Sequence, residues 1–314
     1  MRRWEKVLSG FDFIGDIHGE YGQLITLLEK LSYRPHGASW THPDGRKVCF
    51  LGDYVDRGPR ILEVLKLIKN MVDSGDAYAI MGNHEFNLIS WHTPLTEGSA
   101  RRCRPESKRY QLIESLKQLG EEDNNWIDWL RTLPPSWQTK GARAVHACWS
   151  PDDVTLLMAE WRNAGSYWTP DLIRKASKGA PLFDVVETVM KGPEITLPEG
   201  ETIELGAGDI RDSARIQWWK PADINLPLGE QTIPILPITT PNLTKEQSRA
   251  WPPKLESHDP LVFCGHYWLK GENPSPRTDK VVCLDYSVAK DGFLCAYRFD
   301  GESKANASKM VGTV

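Results

Sequence analysis

Short apolar runs that stop at polar turns alternate, over the first ninety residues, with stretches of helical spacing. Phe11-Asp12-Phe13-Ile14 runs into Gly15-Asp16, and Leu24, Leu27, Leu28 and Leu31 follow at intervals of three and four. That order predicts strand, loop and helix. The unit repeats: Lys47-Val48-Cys49-Phe50-Leu51 leads into Gly52-Asp53, Pro59 stands at an expected helix start, and Leu62, Leu65, Ile68 and Val72 mark an apolar face. Ala77-Tyr78-Ala79-Ile80-Met81 is a third expected strand, ending at Gly82-Asn83-His84-Glu85. Alternating strands and helices with polar clusters at the strand carboxyl ends predict an α/β sheet. Its loops gather on one rim, where open α/β sheets bind ligands.

Further on, Asn124 to Leu133 is expected to be helical, with Pro134-Pro135 as its stop. Arg143 to Trp149 is another short strand, with His146 at its exit. From 163 to 258 the pattern loosens. A helix is expected over Leu172 to Met190, and a proline-rich stretch from Pro193 to Pro253 follows it. We expect an inserted, partly extended cap here, inside a single domain spanning 1–314. Pro260 to Cys264 returns to a buried strand before Gly265-His266. Val281 to Asp285 and Phe293 to Phe299, separated by Lys290-Asp291-Gly292, predict a closing hairpin.

The strand-end clusters bring together Asp16 and His18; Asp53, Asp56 and Arg57; Asn83 and His84; His146; and His266. Apart from one guanidinium these are oxygen and imidazole donors, which suit divalent manganese, iron, zinc or cobalt; no cysteine stands among them, as a structural zinc site would require. Two such ions about 3.5–4 Å apart clamp a phosphate and generate a hydroxide near neutral pH. Each piece alone has an ordinary reading. Asp-x-His is commonly a turn, Gly52-Asp53 is a helix cap, and Gly82-Asn83-His84 is a strand exit. Five such pieces in order, each at the end of an expected strand, have no single structural explanation.

Asp16-Ile17-His18-Gly19, Gly52-Asp53-Tyr54-Val55-Asp56-Arg57-Gly58, Gly82-Asn83-His84-Glu85, His146 and Gly265-His266 resemble the five ordered motifs of the calcineurin-like metallophosphoesterases. The second and third blocks resemble the phosphoprotein phosphatase branch, which includes bacterial-type Ser/Thr phosphatases and diadenosine tetraphosphatases. The resemblance implies two packed mixed β-sheets flanked by helices. It also implies that Asp16 and His18 bind a first metal, that Asp53 bridges, and that Asn83, His146 and His266 complete the second. His84 would protonate the leaving oxygen, Asp56 would orient it, and Arg57 would grip the phosphoryl group. Asp285 resembles a late family aspartate that supports the site from behind the ligands. The chain departs from the branch at Met81, where Arg is usual, and at Ala147-Cys148, where Gly-Gly is usual.

Composition narrows the partners. With 38 Lys and Arg against 42 Asp and Glu, the net charge of −4 disfavours a dedicated polyanion binder. No apolar run approaches the length of a membrane helix or follows Met1 as a signal peptide would. The six cysteines form no CxxC, so reduced thiols and a cytoplasmic setting are expected, with Cys148 and Cys264 in strand packing. Arg101, Arg102 and Arg104, with Lys108 and Arg109, form a basic stretch that is either a solvated run or a groove for anionic substrate. Trp168, Trp218, Trp219 and Trp251 are expected to give the cap a core. His36, His42, His92 and His258 read as surface or packing residues. The expected protein is a hydrolase of phosphomonoesters such as phosphoserine or phosphothreonine in protein, acting through a hydroxide activated by two metals. Manganese is the expected ion, with iron, zinc, cobalt or nickel as alternatives. The same core would serve a dinucleoside tetraphosphate hydrolase or a phosphatase of nucleic-acid ends.

Overall fold

The computed structural model describes residues 10–120, 124–204, 210–236 and 241–314. Two sheets lie face to face. In the first, Phe11–Ile14 runs parallel to Lys47–Phe50, which runs parallel to Ala77–Ala79; on its other side Phe11–Ile14 pairs antiparallel with Phe293–Phe299. Asp285–Tyr286 and Met310–Gly312 complete this six-stranded sheet through Phe293–Phe299. In the second, Leu261–Cys264 lies between Ala142–Val145 and Val281–Cys283, parallel to both, and Ser136–Gln138 pairs antiparallel with Ala142–Val145.

The period-two pattern of each strand divides its side chains between two cores. Phe11, Phe13, Cys49, Leu51, Leu261, Phe263, Val282 and Leu284 fill the layer between the sheets. Phe13 stacks on Phe263 there, with ring centroids 3.8 Å apart and planes within 8°. Ile14, Val48, Phe50, Val262 and Cys264 point outward, into the core shared with the helices. Asp12 also points outward, where Arg46 and Arg298 meet its carboxylate at 3.1 and 3.0 Å and the Tyr33 hydroxyl donates to it at 3.0 Å. A charge so deeply buried is tolerable only when paired and hydrogen-bonded in this way.

Helix Tyr21–Lys30 buries Leu24, Leu27 and Leu28, as its spacing predicts. Helix Ile61–Asp73 begins two residues after Pro59, and its buried stripe runs through Ile61, Val64, Leu65, Ile68 and Met71. Leu62 and Val72 flank that stripe, partly buried. Helix Asn124–Leu130 ends before the paired prolines. Two expectations change. The span Leu172 to Met190 holds two helices, Pro170–Lys175 and Phe183–Lys191, parted by a turn containing Gly179 and Pro181, which cannot continue a helix. Val281–Cys283 belongs to the second sheet, so the hairpin is formed by Asp285–Tyr286 and Phe293–Phe299; the chain changes sheet at Leu284.

Within 163–258 a small antiparallel sheet joins Glu194–Thr196, Ser213–Ile216 and Thr232–Ile233. Its Ile195 and Ile216, with Trp218 and Leu228, enter the same core as the second sheet and its flanking helices. Trp168 and Trp218 are buried, and the Trp168 indole donates to the Leu133 carbonyl at 2.9 Å. Trp219 meets Tyr267 edge-on at 5.1 Å, beside the strand exit at His266.

Candidate active site

Parallel pairing places the carboxyl ends of Phe11–Ile14, Lys47–Phe50 and Ala77–Ala79 on one rim, and the same holds for Ala142–Val145 and Leu261–Cys264. Asp16, Asp53 and Asn83 therefore come from one sheet, and His146 and His266 from the other. The turns that carry them are tight. His18, Asp53, Asp56, Arg57 and His266 all have positive φ, between 45° and 74°, a sparsely populated region that concentrates at functional sites. At Gly265 a Cβ would lie 1.9 Å from Asp16 Oδ1, so only glycine lets the two sheets close here. His266 N–H donates to both oxygens of Asp16 at 3.1 Å.

Asp53 is the centre. Its Oδ2 lies 3.6 Å from His18 Nε2 and 3.8 Å from His84 Nε2, and its Oδ1 lies 3.3 Å from His146 Nε2. Two groups capable of holding a cation share it: His18, Asp53 and His84, and Asp53, His146 and His266. Asn83 Oδ1 is 3.0 Å from His146 Nε2. Each ring's far nitrogen is pinned where a carbonyl is available, His18 Nδ1 by Val55 at 2.8 Å and His146 Nδ1 by Leu51 at 2.7 Å. Such bonds fix the tautomer that leaves Nε2 free to ligate.

A metal fits this arrangement on two observations. Among the described residues, His18 Nε2 and His266 Nε2 are buried without a hydrogen-bond partner, a costly state that ligation would relieve. The electrostatics agree. Burial, then Asp285 and Asp53, push the Asp16 carboxyl well above its usual range, and burial, then His84, pull the His18 pKa down to about 3. Burial and the Arg215 charge lower His266 as well. Crowded carboxylates beside neutral imidazoles are the donor set a divalent cation takes, and its charge would reverse the pressure on Asp16.

His84 behaves differently. Its Nδ1 lies 2.6 Å from Asp56 Oδ2. Burial works against the imidazolium, but the Asp53 and Asp56 charges outweigh it and raise the pKa. Asp56 is itself held by Ser115, whose hydroxyl donates to Oδ1 and accepts from the Asp56 N–H. Ser115 carried no signal in the sequence.

Glu85 braces the site from behind. Its buried carboxylate accepts from the N–H groups of Asp53, Tyr54, Val55 and Gly82, at 2.8 to 3.1 Å. One side chain thus ties the second motif loop to the third. Burial, then Asp53, push its pKa up to about 7. The Tyr54 hydroxyl braces the same loop through the carbonyls of Phe50 and Ile80.

Asp285 lies under the site and bonds the N–H groups of Trp268 and Ser287. Arg57 lies over the Trp268 ring, 4.3 Å from its centroid. The arginines of the basic stretch make local contacts. Arg102 donates to the Trp91 carbonyl and covers its indole, while Arg104 donates to Asn87 at 2.5 Å and to Gln111; Arg101 is exposed. Cys148 and Cys264 are buried, and burial raises both thiols.

The family model for calcineurin-like phosphoesterases matches residues 10–186. The chain belongs to that family. His266, beyond the matched span, joins the site through its contacts with Asp16 and with the His146 ring, 5.2 Å away. A bis(5'-nucleosyl)-tetraphosphatase PrpE (asymmetrical) of Halalkalibacterium halodurans is 38% identical over 121 residues, 36% of this chain and 49% of its own. The protein of the same name from Geobacillus sp. is 44% identical over 127 residues, covering 40% and 44%. This chain spans about half the length of the curated relatives it matches. Among solved structures, a protein serine/threonine phosphatase from Saccharomyces cerevisiae aligns over 98% of this chain and 80% of its own, at 12% identity and a TM-score of 0.49. Among the described residues, no helix is long and apolar enough to cross a membrane.

Proposed function

We propose that this chain hydrolyses phosphate esters and anhydrides with two divalent ions, and that nucleoside polyphosphates are its favoured substrates. Asp16, His18 and Asp53 would hold one ion; Asp53, Asn83, His146 and His266 would hold the other. Manganese is the ion we expect for this oxygen and imidazole set. When bound, the ions supply Lewis acidity at the phosphoryl oxygens and an activated water. The observation that carries the reading is the central Asp53 beside the buried Nε2 atoms of His18 and His266, neither of them hydrogen-bonded among the described residues.

The remaining work falls to the chain's own groups. His84 Nε2 offers a proton to the leaving oxygen, because Asp56 holds Nδ1 at 2.6 Å and favours the charged ring. Arg57 binds phosphoryl oxygens through its planar fork. The substrate class is supported by the relatives named bis(5'-nucleosyl)-tetraphosphatase. A second reading, a phosphomonoesterase acting on alkyl phosphates such as phosphoserine, is favoured by the His84–Asp56 pair, since an alkoxide needs a proton donor more than a departing nucleotide does. We read the whole chain as one domain, with 163–258 an inserted cap. Its six cysteines, free of disulfides, suit a reducing cytoplasmic setting.

The test is a panel of diadenosine tetraphosphate, phosphoserine peptide, nitrophenyl phosphate and a nucleic-acid phosphodiester, assayed with manganese. The highest kcat/KM is expected on the tetraphosphate. Turnover of the phosphopeptide alone would select the second reading, and turnover of none would overturn both.

A further inference from the structure

At the mouth of the site, two side-chain cations lie over one indole. Arg57 Cζ is 4.3 Å and Lys290 Nζ 3.6 Å from the Trp268 ring centroid. Among the described residues, neither cation has a carboxylate within ion-pair distance. The cleft beneath them is lined by His18 and Asp285. Lys290 is carried by the tight turn of the Asp285–Phe293 hairpin, where its own N–H and that of Gly292 both donate to the Ser287 carbonyl.

The arrangement is built rather than incidental. One oxygen of buried Asp285 accepts from Trp268 N–H at 2.7 Å, and the other accepts from Ser287 N–H at 2.9 Å. The Ser287 hydroxyl also donates to the Leu269 carbonyl at 3.2 Å. A single carboxylate therefore fixes the loop bearing the indole and the turn bearing the ammonium. The indole π-system offsets part of the repulsion between the two like charges, and anionic groups bound to each of them would offset the rest. A lone phosphoryl group held by Arg57 uses one of these cations. Two phosphoryl groups joined in a chain use both.

We propose that Lys290, positioned by Trp268 and Asp285, recognises the phosphoryl group adjacent to the one bound by Arg57, and so selects substrates with consecutive phosphates over monophosphates. This deepens the polyphosphate reading above and rests on it. Trp268 acts as the shelf that sets the spacing of the two cations, and Lys290 as the specificity determinant.

Calorimetry with metal-loaded protein tests the proposal, using AMP and the non-hydrolysable α,β-methylene-ADP as probes. Wild-type protein is expected to bind the diphosphate analogue about tenfold or more tightly than AMP, the worth of one added charge-assisted contact. Lys290→Gln should shrink that preference to about twofold, Lys290→Arg should keep it by retaining the charge, and Trp268→Leu should lose most of it. Absence of preference in the wild type, or its full retention in Lys290→Gln, would overturn the proposal. Failure of the phosphoesterase reading would show separately, as absence of nitrophenyl phosphate turnover by the same metal-loaded wild-type protein.

Discussion

His84 Nδ1 sits 2.6 Å from Asp56 Oδ2, while the other Asp56 oxygen takes the hydroxyl of Ser115. The chain therefore presents a histidine whose near nitrogen is occupied and whose far nitrogen faces Asp53. We propose that this geometry makes a proton donor; the same ring also lies within reach of a cation shared with His18.

The two roles separate on the leaving group. His84→Asn is expected to cut kcat on an alkyl phosphate by about 10²–10⁴-fold and to cost far less on nitrophenyl phosphate, whose leaving group needs no proton. Both ions should remain by elemental analysis. Equal losses on the two substrates with both ions present would exclude the donor role, and loss of an ion would reassign His84 as a ligand.

Glu85→Gln places an NH₂ where one carboxylate oxygen now accepts two of the four backbone N–H groups. The shared anchor of the second and third motif loops loses half its acceptors, and two buried donors are left without a partner at about 1–3 kcal/mol each. The expected result is a lower unfolding midpoint and metal affinity reduced about 10–100-fold, as is typical when support behind a ligand is removed. Unaltered metal affinity would show that Tyr54 alone suffices to hold Asp53.

Arg104 makes packing contacts. Its guanidinium reaches Asn87 and Gln111, and burial, opposed by the Asp56 charge, lowers its pKa. Arg104→Ala should therefore destabilise the protein, by about 1–3 kcal/mol in urea unfolding. Exposed Arg101→Ser should leave stability within about 0.5 kcal/mol. A large, salt-dependent rise in KM for Arg104→Ala, with stability intact, would instead support a groove for anionic substrate.

The rim and its donors were legible because each motif falls at the exit of a short apolar strand, and parallel pairing then brings Asp16, Asp53 and Asn83 together. His146 and His266 follow by the same logic in the second sheet. What was not legible depends on distances across the chain. Ser115 lies 59 residues from Asp56, and nothing in its local pattern separates it from a surface serine. Glu85 stood in the third motif, but three of its four backbone partners exist only once the second motif loop has folded over it. The turn within 172–190 was written in Gly179 and Pro181, yet apolar spacing on both sides masked it. The change of sheet at Leu284 left no trace either, because one apolar run serves both sheets.

The central claim, two ions on one shared aspartate, is tested most directly by counting metal. Protein stripped with chelator, reloaded with manganese and freed of excess should hold two ions per chain, and nitrophenyl phosphate hydrolysis should rise only as the second is taken up. Asp53→Asn should lose both together. Full activity with one ion per chain or none, or two ions retained by Asp53→Asn, would contradict it.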